Sequence, residues 1–262
     1  MKKKGSVGGL CGVLYPILSL VVAIAIWFVV AAVIDVEFLL PSPVSTIKKL
    51  FHLTGQSRFY LGLLNTTLHA VLSFIAAFVA AAVFAVLAGM SKTFERLLSP
   101  VVLVVRVAPT MSVIFIAMLW ISSEKSPYLV CVFILFPMLY SRILSAIRSV
   151  DPELKEMAAV YRVGKMKVVR WLYLPHVSRS VADECPGILS FAIKLAVSGE
   201  AVVQSGMTIG SLMYSAKVNF DTAELIAYTF AAIVLGFLLE ISCKAAIALF
   251  GRIRHAKTCR NR

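Results

Sequence analysis

Long apolar runs alternate with short polar breaks along this chain. The runs lie near 13–34, 64–89, 99–121, 127–147, 187–205 and 225–249. A helix crossing a hydrocarbon core needs about 20 apolar residues, so the pattern predicts an all-α membrane protein of about six transmembrane helices. The first run carries no charge over 22 residues. That exceeds the ~7–15 apolar residues of a secretory signal, so the run reads as a retained first span although Lys2, Lys3 and Lys4 precede it. Two breaks, 91–96 and 122–127, are turns between spans. Two connections, 35–63 and 148–186, are longer and must hold structure of their own.

The first of these contains Leu40-Pro41-Ser42-Pro43. Ser42 suits a helix N-cap and Pro43 its first position. Val44, Ile47, Leu50 and Phe51 then share one face, which predicts a short amphipathic helix on the outer membrane surface. The second begins with Asp151-Pro152-Glu153, a capping carboxylate, a proline and an acid near the positive helix end. Leu154, Met157, Ala158 and Tyr161 follow at helical spacing. A second short helix is expected with Met166, Val169 and Leu172 or Tyr173 on one face and Lys165, Lys167 and Arg170 on the others. It is expected to end at Leu174-Pro175, since the residue before proline is pushed out of helix. By pattern alone the stripes either pack under the membrane domain or dock a cytosolic protein. A helix-turn-helix for nucleic acid is poorly served by a segment tethered at both ends to spans.

Composition supports this picture. The chain has 262 residues, 60% hydrophobic and 15% charged, with mean hydropathy +0.91. Soluble domains carry about 25% charged residues. The net charge of +13 lies between apolar runs, where it flanks a membrane rather than nucleic acid. With the N-terminus placed in the cytoplasm, eighteen lysines and arginines fall inside, five outside and three within spans. That asymmetry puts both termini and the 148–179 segment on the cytoplasmic side. The cysteines, Cys11, Cys131, Cys185, Cys243 and Cys259, are odd in number and lack metal-ligand spacing.

The 148–179 segment resembles the EAA loop of binding-protein-dependent importer permeases, whose pattern is Glu-Ala-Ala, three residues, Gly, nine residues, Ile-x-Leu-Pro. Glu156-Met157-Ala158 opens the segment and Leu172-x-Leu174-Pro175 closes it, with the required 19 residues from Glu156 to Pro175. Arg162 stands at the glycine position, with Gly164 two residues on. Other matches follow in order. Leu40-Pro41-Ser42-Pro43, Arg106-Val107-Ala108-Pro109, Phe136-Pro137, Arg148-Ser149-Val150-Asp151-Pro152 and Gly199-Glu200 are similar to segments of nitrate/sulfonate/taurine-type permeases. The Glu-Met-Ala variant is shared with some permeases for thiamine-precursor-like solutes. The resemblance implies a MetI-like ABC importer permease of the prokaryotic inner membrane. It implies a homodimer or pseudo-dimer, separate ABC ATPase subunits and an extracytoplasmic substrate-binding protein. Glu156, Met157, Ala158, Tyr161, Arg162, Gly164, Leu174 and Pro175 would couple the spans to the ATPase.

No Gly-x-x-x-x-Gly-Lys-Ser/Thr run occurs, so ATP hydrolysis falls to a partner, and no cofactor or metal site is expected. His52, His69, His176 and His255 are far apart and read as surface or packing residues. Asp183 and Glu184 read as a solvated face. Arg106, Lys194 and Glu200 lie within spans, where charge is costly and points to function. They are candidates for the translocation path, and the two cations could favour an anionic solute; structural pairing or snorkelling is the alternative. Lys194 and Glu200 are six apart and need other partners, such as a second copy. Glu240 and Lys244, four apart, should pair with each other. A self-sufficient carrier or channel is the rival function; it predicts inverted repeats with broken helices in both halves, and no corresponding pair is visible. A membrane scaffold or sensor would not need the 19-residue spacing.

Overall fold

In the computed structural model, which describes residues 7–260, the regular elements of the described residues are all helical. Lys2, Lys3, Lys4 and Arg262, which enter the charge asymmetry, lie outside the described residues. The order is α1 (Val7–Ile34), α2 (Pro43–Thr54), α3 (Ser57–Met90), α4 (Lys92–Val107), α5 (Thr110–Trp120), α6 (Ser126–Arg148) and α7 (Pro152–Val160). Then α8 (Lys165–Val168) runs through a π-helical turn (Val169–Tyr173) into α9 (Leu174–Ala182). α10 (Cys185–Val203), α11 (Ile209–Val218) and α12 (Thr222–Arg260) complete the chain.

Helices α1, α3, α6, α10 and α12 are long and apolar enough to cross a membrane. The run expected as one span at 99–121 is broken: α4 and α5 meet at a 100° bend. Pro109 causes the break. It has no N–H, and its ring forces Ala108 out of the helical region, to φ −56° and ψ 129°. Counted as one broken span, the pair brings the total to six.

The core lies between α3, α6 and α10. Ala70, Ala77, Ala81, Ala85 and Ala88 of α3 are buried against Leu135, Leu139 and Ile143 of α6. Small residues let two backbones approach closely where lipid offers no hydrophobic drive between helices. By contrast the Ile17–Ile34 stretch of α1 is apolar on all sides and almost unburied, the composition of a helix facing hydrocarbon.

At one end of the bundle α2 forms where the sequence places it. The Ser42 hydroxyl accepts the Ser45 N–H at 3.1 Å, with Pro43 at the first position. Leu53 is fully buried while Val44, Ile47 and Phe51 face away from the protein. Lys49 clamps this helix to α12 through Asp221 at 2.5 Å and Glu224 at 3.2 Å. Hydrogen bonding to Asp221 raises the Lys49 ammonium above its ordinary value. Burial pushes the Asp221 carboxyl up, but the Lys49 hydrogen bond, the Glu224 N–H and the Lys49 charge outweigh it, and the net shift is downward. The opposite end carries the segment between α6 and α10.

Candidate functional site

That segment is an elbow. Asp151 accepts the Glu153 N–H at 2.9 Å and starts α7. The Lys155 ammonium donates to the Arg148 carbonyl at 3.1 Å, tying α7 back to the end of α6. No residue of α7 is buried. Its apolar stripe therefore neither packs under the membrane domain nor disappears. Leu154, Met157, Ala158 and Tyr161 join Val168 and Trp171 around a solvent-facing cleft of about 340 Å³. Val160, Tyr161 and Trp171 are 79%, 75% and 75% exposed, a cluster of large apolar side chains that water alone does not favour. Glu156 is exposed on the same helix. Val160 and Trp171 escaped the sequence reading, whereas Met166, expected on the face of the second helix, is 78% exposed. The signal for Val160 and Trp171 was apolar bulk inside a highly basic segment.

Arg162 explains the turn. It adopts φ 47°, the left-handed conformation in which glycine is favoured. The Arg162 N–H donates to the Ala159 carbonyl at 3.0 Å and the Val163 N–H to the Ala158 carbonyl at 2.9 Å. These two bonds form a Schellman cap. The backbone at the motif's glycine position thus has the glycine geometry although an arginine occupies it. Gly164 is exposed and does not have a positive φ.

The second helix of the elbow departs from expectation. It does not end at Leu174-Pro175 but continues to Ala182. The π-helical turn just before Pro175 is the reason. There the Leu174 N–H reaches back to Val169, so the bonding register shifts by one residue, and Pro175 falls in the first turn of α9, where a missing N–H is tolerated. Pro175 is half-buried beside Ser149, Asp151, His176 and Arg179 in a cleft of about 540 Å³ at the base of the elbow. The Ser149 hydroxyl lies 3.1 Å from His176 Nε2. Leu174 remains 58% exposed.

The three charges within spans separate into two groups. Arg106, in the last turn of α4 beside the break, donates to the Ser141 hydroxyl, which donates to the Pro137 carbonyl at 2.7 Å. It lines a cavity of about 910 Å³ with Arg142, Glu184, Phe191 and Lys244. Irregular backbone at membrane depth is tolerated where it borders such a cavity. Glu184 is paired rather than merely solvated, 2.7 Å from Arg142 Nε. Lys244 pairs with Glu240 at 2.6 Å. Lys194 is exposed one turn beyond Phe191 on α10 and makes no ion pair among the described residues.

Glu200 sits elsewhere. It is fully buried, and its partners belong to the same chain rather than to a second copy. His69 Nδ1 lies 2.7 Å from its Oε1. The Thr66 hydroxyl donates to Oε2 at 2.8 Å, and the Gly210 N–H does so at 3.2 Å. Thr66 in turn accepts the Ile209 N–H at 3.0 Å. The carboxylate thus stitches α3 to α10 and to the start of α11, and lines none of the cavities above. His69 is therefore a polar partner in this node. Gly210 makes it possible: a Cβ there would stand 2.4 Å from the Val197 carbonyl oxygen.

A family model described as binding-protein-dependent transport system inner membrane component matches residues 77–252. Among solved structures, the chain resembles one from inward-facing crystals of the MetNI methionine ABC transporter. The TM-score is 0.65 at 13% identity, covering 73% of this chain and 95% of that one. At that identity the likeness establishes the fold. A search of curated proteins returns no match.

Proposed function

Because the chain belongs to the family of inner-membrane components of binding-protein-dependent transport systems, we propose that its elbow is the contact through which a separate ABC ATPase drives the import of a small polar solute. The protein is a multi-span permease of an ABC importer in the prokaryotic inner membrane. It is a transport subunit rather than a catalyst. The observation that carries the coupling role is α7: a helix held between two spans, capped, tethered and without a fully buried residue, with Met157, Val160 and Tyr161 offered to solvent. A free amphipathic face of this kind suits a groove on a partner.

In this reading Glu156, Met157, Ala158, Tyr161 and Arg162 meet the ATPase, while Gly164, Leu174 and Pro175 form the arm behind them. The elbow end is cytoplasmic, in line with the basic asymmetry. The α2 face meets the extracytoplasmic binding protein. Two copies of the permease enclose the path, and closure of the ATPases rocks them between alternating states. Arg106 and Lys194, with no carboxylate partner among the described residues, border that path and suit an anionic solute. The sequence resemblance is to permeases for nitrate, sulfonates, taurine and thiamine precursors and does not choose among these solutes.

The test is retention of the ATPase when the permease is purified from membranes. Glu156→Arg and Val160→Asp, both at exposed positions, should cut retained ATPase and solute uptake at least tenfold while leaving the membrane domain folded. Undiminished retention and uptake in both variants would remove the elbow from the coupling role.

A further inference from the structure

An apolar cavity of about 470 Å³ lies between the elbow and the spans. Its walls include Phe78 and Ala82 of α3, Tyr173 of the π-helical turn, Val177 of α9, Cys185 of α10 and Cys243 of α12. Each of these is half-buried, so the space can be reached from outside. Polar groups are sparse: Ser178, the Tyr173 hydroxyl and the two free thiols. Water placed there would find too few partners to stay. Left empty, the lining atoms would lose their dispersion contacts on one side.

The cavity is continuous with the surface that faces hydrocarbon. On α3, Ile75, Val79 and Val83 adjoin the cavity wall and stand 51%, 56% and 54% exposed; on α12, Ile241 is 62% exposed. In a multi-span membrane protein those side chains touch lipid. The lining itself holds no charged side chain; of the exposed charges beside it in sequence, Arg170 follows Val169 and Asp183 follows Ala182, while Arg179 lines the separate cleft of about 540 Å³.

We infer that this cavity is a binding site for a phospholipid, with one acyl chain lying between the elbow and the α3/α12 wall. The chain is then a filler through which the elbow bears on the spans. That mechanical consequence rests on the coupling role proposed above, whereas the lipid site does not.

The experiment uses the full chain in vesicles doped with phosphatidylglycerol bearing a diazirine midway along one acyl chain. After irradiation, adducts are mapped by mass spectrometry. Labelling of 169–182 and of the α12 turn holding Cys243 should exceed that of the bulk-lipid face of α1 several-fold. Ala82→Trp and Ala182→Trp, which fill the cavity, should cut it at least threefold and leave α1 labelling unchanged. Cavity labelling no higher than on α1, labelling insensitive to both tryptophans, or cross-links from the cavity wall to another protein segment would overturn the inference. Wild-type protein gives a second measure if the variants do not fold. In detergent, added phospholipid should slow alkylation of Cys185 and Cys243 by an apolar maleimide several-fold. Equal rates with and without lipid refute the site. Because neither measurement involves the ATPase, failure here is separable from failure of the coupling role.

Discussion

Replacing Glu200 by alanine should loosen the permease core far more than its distance from the elbow suggests. The carboxylate accepts from His69, Thr66 and the Gly210 N–H, all inside the protein. A net hydrogen bond contributes about 1 kcal/mol in proteins and about 0.6 kcal/mol on average within membranes. Three give roughly 2–3 kcal/mol. Alanine also orphans three buried donors and leaves a void, so the expected loss is about 3–5 kcal/mol. Glu200→Gln keeps the volume and one acceptor oxygen but turns an NH2 toward a donor, for a loss of about 1–2 kcal/mol. Cys131, fully buried in the α3/α6/α10 core, reports on opening there. Its alkylation in detergent, read by mass spectrometry, should accelerate roughly 100-fold or more in Glu200→Ala and about tenfold in Glu200→Gln, at 1.4 kcal/mol per decade. Thr66→Val combined with Glu200→Gln should be less than additive, since the two share a bond. Cys131 labelling of Glu200→Ala within twofold of wild type would show that the node contributes nothing to the core.

Arg162→Gly should stabilise the α7 turn by about 0.5–1 kcal/mol, because glycine meets the left-handed conformation without a Cβ clash, though it loses more entropy on folding. Slower hydrogen exchange at the Val163 amide is the readout, and Arg162→Val should speed it. Gly210→Ala, by contrast, places a methyl against the Val197 carbonyl and Glu200 Cβ. It should cost about 2 kcal/mol or more, visible as a lowered melting temperature. The Lys49–Asp221 clamp sets a pH dependence. The lowered Asp221 contributes stability above the ordinary carboxylate range, lost as pH falls through its folded value. The raised Lys49 contributes below the ordinary lysine value of 10.5, lost as pH rises past it. The melting-temperature difference between wild type and Asp221→Asn should therefore be flat from about pH 5 to 9 and shrink in stronger acid. A change centred near neutrality would contradict the clamp.

Much of this protein is written in local pattern. Hydrocarbon imposes a length of apolar residue on any helix that crosses it, so the runs along the chain announce the spans without reference to one another. Helix starts are equally local: Ser42-Pro43 and Asp151-Pro152 supply their own caps. The 19-residue register from Glu156 to Pro175 carried enough to place Arg162, and the backbone there has the conformation a glycine would take.

What the tertiary structure decided is where side chains far apart in sequence come to rest. Pro109 is visible as a helix breaker, but the 100° angle between α4 and α5 depends on what each half packs against. Pro175 looks like a stop, yet a π-helical turn carries the helix through it because α9 finds apolar neighbours in α6 and α10. Glu200 reads as one of three equivalent charges in spans until His69, 131 residues away, is brought to its side. Apolar length and capping are properties of neighbours along the chain. The choice of partner for a buried charge is a competition among all groups the fold brings within reach, and no local pattern records its outcome.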